Sequence, residues 1–198
     1  MVPELTMTKL VAGCLQESIA VKQQLLEDEG YQQEVAALGH AMAQALASGH
    51  KIIFFGNGGS AADAQHLAAE LSGRYMMERP GLAGLSLTAN TSALTAISND
   101  YSYEAVFARQ LEALGCPGDV AIGISTSGKS ANVVRAMEIA RSKHLITAAL
   151  TGRSGGTLVS RVDHCIRVPS DCTARVQEAH ILTGHILCEI VESELFAR

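Results

Sequence analysis

The chain has 198 residues, 47% hydrophobic and only 18% charged, and its 15 basic against 20 acidic side chains leave a net charge of −5. That apolar fraction excludes intrinsic disorder, and the acidic balance argues against a large electrostatic footprint on nucleic acid. The absence of any run of about 20 apolar residues excludes a transmembrane helix, and the length suits one domain whose core needs no disulfides.

The N-terminus reads Met1-Val2-Pro3-Glu4-Leu5, with no basic stretch before an apolar run, so no signal peptide is expected. Residues from about 6 to 27 read as an amphipathic helix, with Leu10, Cys14, Leu15, Ile19, Val21 and Leu25 on its apolar stripe. Glu29-Gly30 is expected to end it. A second helix is predicted over 32–47, with Val35, Leu38, Met42 and Leu46 in phase. Ile52-Ile53-Phe54-Phe55 has the look of a strand buried on both faces. Gly56-Asn57-Gly58-Gly59-Ser60 follows, and Ser60 is expected to open a helix, with Asp63 as its capping-box partner.

A strand near 83–87 and helices near 92–97 and 104–114 come next. A buried strand is predicted over 120–124, then the loop Ser125-Thr126-Ser127-Gly128-Lys129-Ser130 and a helix over 132–141. Strands near 145–150 and 165–168 precede a closing helix over 173–196. Strands alternating with helices predict an α/β fold with a mostly parallel sheet. The two leading helices could cover that sheet or build an oligomer. Five cysteines, odd in number and without a CxxC pair, fit a reducing compartment, the cytoplasm.

Strand, small-residue loop, helix thus occurs twice. Each loop sets backbone N–H groups and hydroxyls at a helix N-terminus, where unpaired donors and the helix dipole both favour an anion. Either loop alone could be a tight turn with capping serines. Two in one domain, the second with four hydroxyls in six residues, point to binding. Neither matches a nucleotide-binding motif, so a monophosphate fits better than a dinucleotide. His66 and Glu70 lie four residues apart on one helix face, where they could share a divalent metal or form a plain surface pair. On the last helix Gln177 and His185 share a face about 12 Å apart along the axis. One metal reaches both only if long side chains converge or if a second subunit contributes.

Gly56-Asn57-Gly58-Gly59-Ser60-Ala61-Ala62-Asp63-Ala64-Gln65-His66 with Glu70, then Ser98-Asn99-Asp100-Tyr101, the 123–130 loop, Gln177-Glu178-Ala179-His180 and His185, resembles the bacterial phosphoheptose isomerases. These are sugar-isomerase (SIS) domain proteins that act on sedoheptulose 7-phosphate. The resemblance spans most of the chain. It implies a single domain over 1–198, a flavodoxin-like doubly wound parallel sheet flanked by helices, and a helical oligomerisation segment over 1–50. It implies a homotetramer with sites at subunit interfaces and one zinc per subunit, held by His66, Glu70, Gln177 and His185. Glu70 would be the base and His185 the acid. Asn57, Gly58, Gly59, Glu70, Asn99, Asp100 and Gln177 would line the substrate site. Ser60, Ser125, Thr126, Ser127 and Ser130 would hold the phosphate, with Arg74 reaching across an interface. The product would feed heptose assembly for lipopolysaccharide core or other surface glycans. No membrane or direct nucleic-acid partner is implied. Some relatives carry an acid where Ala174 stands here.

Two other readings share the fold. A sister SIS family binds the replication initiator but lacks the counterparts of Glu70 and His185. A sugar-phosphate sensor would show the same serine loops yet needs no acid–base pair.

Overall fold

The computed structural model describes residues 4–197, so the first three residues of the expected 1–50 segment lie outside it. Two helices lead, α1 (Glu4–Glu27) and α2 (Glu29–Ala47). Glu29-Gly30 does not end the first. The break falls at Asp28, whose carboxylate accepts the Tyr31 N–H at 3.0 Å and caps α2 instead. Then come β1 (Ile52–Gly56), α3 (Gly59–Ser72), β2 (Gly84–Ser86), α4 (Thr91–Asp100) and α5 (Val106–Leu114). The second half runs β3 (Val120–Ser125), α6 (Ala131–Ser142), β4 (Ile146–Thr151), β5 (His164–Arg167) and α7 (Thr173–Phe196).

The five strands form one all-parallel sheet in the order β2-β1-β3-β4-β5. Successive side chains of a strand point to opposite faces, and the core divides accordingly. Ile52, Phe54, Val120, Ile122, Ile124, Ala148 and Leu150 face a layer that includes α2, α3 and α7. Ile53, Phe55, Ala121 and Ala149 face α5 and α6. The sheet is therefore doubly wound, as expected. α2 packs into the first layer through Val35, Leu38 and Met42. α1 behaves differently. Among its described side chains only Val21 and Leu25, near its C-terminus, are buried, against Val168, Val176 and Ala179. Met7, Leu10, Val11, Leu15 and Ile19 remain half or more exposed.

In this strand order the chain runs one way from β1 to β2 and the other way from β1 to β3. The carboxyl ends of β1 and β3 thus form the topological switch point, where open α/β sheets bind ligands. Gly56 pairs with Ile124 there, so the two small-residue loops start side by side.

Candidate active site

The first loop departs from the expected cap. α3 begins at Gly59, and its N-cap is Gly58 at φ +56°, with no side-chain cap bond. Glycine takes that conformation without steric cost. Ser60 therefore lies inside the helix, 3% exposed, and Asp63 does not reciprocate. Asp63 instead has a buried Oδ2 with no partner among the described residues. Burial pushes its carboxyl up to about 6, against the pull of nearby His66. In the second loop Gly128 has φ +63°, and any Cβ there would meet the Gly155 carbonyl oxygen. Ser125 Oγ lies 2.9 Å from Ser130 Oγ, and the Ser127 hydroxyl accepts the Lys129 N–H. A cavity of about 210 Å³ beside this loop is lined by Thr126, Ser127, Lys129, Arg153, Asp171 and Thr173. A larger cavity, about 530 Å³, lies at the β5 edge between Asp28, Glu34 and Arg167, and no residue of either loop lines it.

The loops are tied to each other. Asn57 Nδ2 donates to Asn132 Oδ1 and Asn132 Nδ2 donates to Asn57 Oδ1, each at 2.9 Å. The Tyr103 hydroxyl donates to Asn57 Oδ1 at 2.9 Å. Asn99 donates to Asp100 at the exposed end of α4.

The helices α3 and α7 carry the other group of predicted residues. His66 Nε2 lies 3.1 Å from Glu70 Oε1 and 2.9 Å from His185 Nε2. The three donor atoms lie within 4.8 Å of one another. Convergence of α3 and α7 thus occurs within a single chain. Gly184 explains the closeness, since α7 passes over Leu67 with no room for a side chain at that position. Gln177 sits two turns earlier on α7, its amide directly over Gly59 and so about 10 Å along α3 from His66, and it does not join this cluster within its own chain. Two imidazole nitrogens and a carboxylate within 4.8 Å of one another match three of the four donors that a tetrahedral zinc site would use. With bonds of about 2.0–2.2 Å, ligand atoms sit about 3.3 Å from one another. The residues present fit the ion.

Arg74 lies past the C-terminus of α3, 63% exposed, with Glu78 at 3.8 Å beside it. Ser60 stands about 20 Å away along the helix axis, so Arg74 does not reach the loops of its own chain. His180 is buried and plays no part in the cluster. Its Nε2 donates to the Thr151 carbonyl, and burial pulls its pKa down to about 4.

Sequence reasoning missed Tyr75, Tyr103 and Asn132. Tyr75 stacks on the His185 ring, with centroids 5.5 Å apart and planes at 20°. No spacing rule links these residues to their partners, which lie 46 to 110 positions away.

Comparison with known proteins adds a second line of support. The SIS domain family model matches residues 15–152. "Phosphoheptose isomerase 2" of Campylobacter jejuni is 50% identical over 188 residues, covering 95% of this chain and 94% of that protein. The phosphoheptose isomerase of Roseiflexus sp. is 52% identical over 194 residues, 98% of each chain. Among solved structures, phosphoheptose isomerase GmhA from Neisseria gonorrhoeae is similar at a TM-score of 0.89 and 44% identity, covering 94% of this chain and 99% of that one.

Proposed function

The chain belongs to the phosphoheptose isomerases of the SIS-domain family, and from that membership we propose how its residues carry the reaction. It is an aldose–ketose isomerase that converts sedoheptulose 7-phosphate to D-glycero-D-manno-heptose 7-phosphate in heptose biosynthesis. The observation that carries the mechanism is the meeting of Glu70 and His185 beside His66. A 7-phosphate places its charge at one end of the sugar and the reacting C1 and C2 at the other. Ser60 and His66 are six residues apart on α3, about 9 Å along the axis, which suits that separation.

The phosphate takes donors from Ser60, Ser125, Thr126, Ser127 and Ser130 and from the N-termini of α3 and α6. Asn57, Gly58, Gly59, Asn99 and Asp100 line the sugar between the two ends. Glu70 removes a proton from C1 and returns it to C2 by way of an enediol. His185 gives a proton to the oxygen on C2 and accepts one from the oxygen on C1. Zinc, one per subunit, would be held by His66, Glu70 and His185, with Gln177 as a further ligand supplied by a neighbouring subunit, and when bound it would polarise the carbonyl oxygen as a Lewis acid. Glu70 then serves both as ligand and as base.

The exposed apolar stripe on α1 supports a homotetramer, since a solvated face of that kind commonly marks an association surface. The distance of Arg74 from its own loops supports its service to a neighbouring subunit. Five free cysteines, and no helix among the described residues long and apolar enough to cross a membrane, support a cytoplasmic enzyme. Its product would feed heptose assembly for lipopolysaccharide core or other surface glycans. The sensor and initiator-binding readings are not favoured, since neither uses an acid–base pair.

The test is incubation with sedoheptulose 7-phosphate, with and without a chelator, following aldoheptose phosphate by NMR beside Glu70→Gln. Turnover lost in the variant and reduced by chelator supports the full scheme. Turnover indifferent to chelator removes the metal, and sugar-phosphate binding without turnover removes the isomerase.

A further inference from the structure

A buried ion pair between α7 and the segment that follows α3 takes no part in the steps above. Glu192 lies two turns beyond His185 on α7 and is 1% exposed. Its Oε1 accepts the Tyr75 N–H at 3.0 Å and Arg79 Nε at 2.9 Å, and its Oε2 accepts the N–H groups of Met76 and Met77 at 2.9 Å. Burial alone would raise the Glu192 carboxyl, but these donors outweigh it and hold the pKa below its ordinary value. Arg79 also donates to the carbonyls of Glu70 and Leu71, each at 2.8 Å, in the last turn of α3. One ion pair thus joins the turn that carries Glu70, the helix that carries His185, and the irregular segment between α3 and β2.

That segment presents Tyr75. Its ring stacks on His185, whose other neighbour is the His66 ring at 5.1 Å, edge to face. The Tyr75 hydroxyl makes no hydrogen bond among the described residues, so the ring carries the contact. An imidazole on a helix can turn about two side-chain bonds. A flat surface against one side removes most of that freedom while the donor edge stays clear.

We propose that Tyr75 is a positioning residue for the isomerisation: its ring, fixed by the Glu192–Arg79 pair, buttresses His185 so that Nε2 faces Glu70 and His66. This rests on the role given to His185 above. A positioning residue acts on the chemical step and leaves the phosphate grip unchanged. Losses of about 10–100-fold are usual when the group orienting a site imidazole is removed.

The test compares Tyr75→Phe, Tyr75→Leu and Tyr75→Met with the wild type, in sedoheptulose 7-phosphate turnover and in NMR of the His185 imidazole in the resting protein. Phenylalanine should keep kcat within threefold. Leucine should lower it tenfold or more, with KM inside twofold and the imidazole signals shifted or broadened. If the leucine variant does not fold, methionine, flexible and of similar bulk, carries the same comparison. A leucine kcat within threefold of wild type overturns the proposal, as does a phenylalanine variant as slow as leucine, or a loss confined to KM. Unchanged imidazole signals in the leucine variant also overturn it. An inert wild type with those signals shifted in the leucine variant would remove the isomerase reading and leave the buttress standing.

Discussion

Gly184 lies where α7 crosses α3, next in sequence to His185, and its replacement by alanine probes how far the donor cluster depends on helix spacing. A Cβ at this position would come 2.5 Å from both Leu67 methyl groups and 3.0 Å from Leu67 Cγ. Carbon atoms in contact sit about 3.5–4.0 Å apart, so about 1 Å must be found. Leu67 is 1% exposed within the first core layer and has little room to yield. Overpacking of this kind costs about 1–3 kcal/mol, and alanine's better helix propensity offsets about 1 kcal/mol of it. The net loss of stability is then at most about 2 kcal/mol, and the protein stays folded. Catalysis has no such offset. A shift of about 1 Å in a reacting group costs on the order of 10²-fold. Gly184→Ala is therefore expected to lower kcat by about 10²-fold while the melting temperature falls by only a few degrees. Steady-state turnover and thermal melting, run on the same preparation, decide it. Adding Leu67→Ala vacates both clashing methyls and should return part of the activity at a further cost in stability. A single variant with kcat within threefold of wild type would refute the link between spacing and catalysis.

Glu70→Gln should lower kcat by about 10²–10⁴-fold with the oligomer intact, measured by turnover and light scattering, and retention of most activity would remove Glu70 as the base. Ser127→Ala should raise KM about tenfold or more, because a hydroxyl bond to a charged phosphate is worth about 1.5–3 kcal/mol; an unchanged KM would take Ser127 out of the phosphate site. His180 is held neutral by burial, with a folded pKa of about 4 below its ordinary 6.5. The unfolded chain binds a proton in this window that the folded chain refuses, so the stability is fully present above pH 6.5 and is lost as pH falls toward 4. The loss amounts to at most about 3 kcal/mol, and urea midpoints at pH 7.5 and 5 should separate less in His180→Gln than in wild type. Leu15→Glu with Ile19→Glu on the open stripe of α1 should dissociate the proposed homotetramer in size-exclusion chromatography, and an unmoved elution volume would remove this stripe as its interface.

Much of the fold was legible because its signals are local. Ile52-Ile53-Phe54-Phe55 alternates between two buried faces, and a run apolar at every position reports that directly. Helix ends were harder. Asp28 caps α2 where Glu29-Gly30 suggested only a break, because which residue takes the cap depends on how the second helix docks. Ser60 and Asp63 have the spacing of a capping box, yet Gly58 caps α3, since the loop's glycine conformation turns the chain two residues earlier. At the site, the i,i+4 pair His66–Glu70 could be read from sequence. The approach of His185, 119 positions away, came only with the family resemblance and not from spacing, because it is set by the absent side chain of Gly184 against Leu67. Tyr75 and Asn132 carry no pattern, since ring stacking and amide pairing depend on tertiary approach alone.

The reciprocal amides of Asn57 and Asn132 bear on the thermodynamics of capture. Two independent glycine-rich turns would each give up motion when a phosphate arrives, and ordering losses of that kind subtract directly from affinity. Here the Tyr103 hydroxyl and the Val133 N–H each donate to one of the paired amides, so neither can turn over without losing bonds. The two rims enter the encounter as one rigid body. The sugar phosphate then meets a surface whose entropy was surrendered when the chain folded, and binding draws on the stability of the core beneath it.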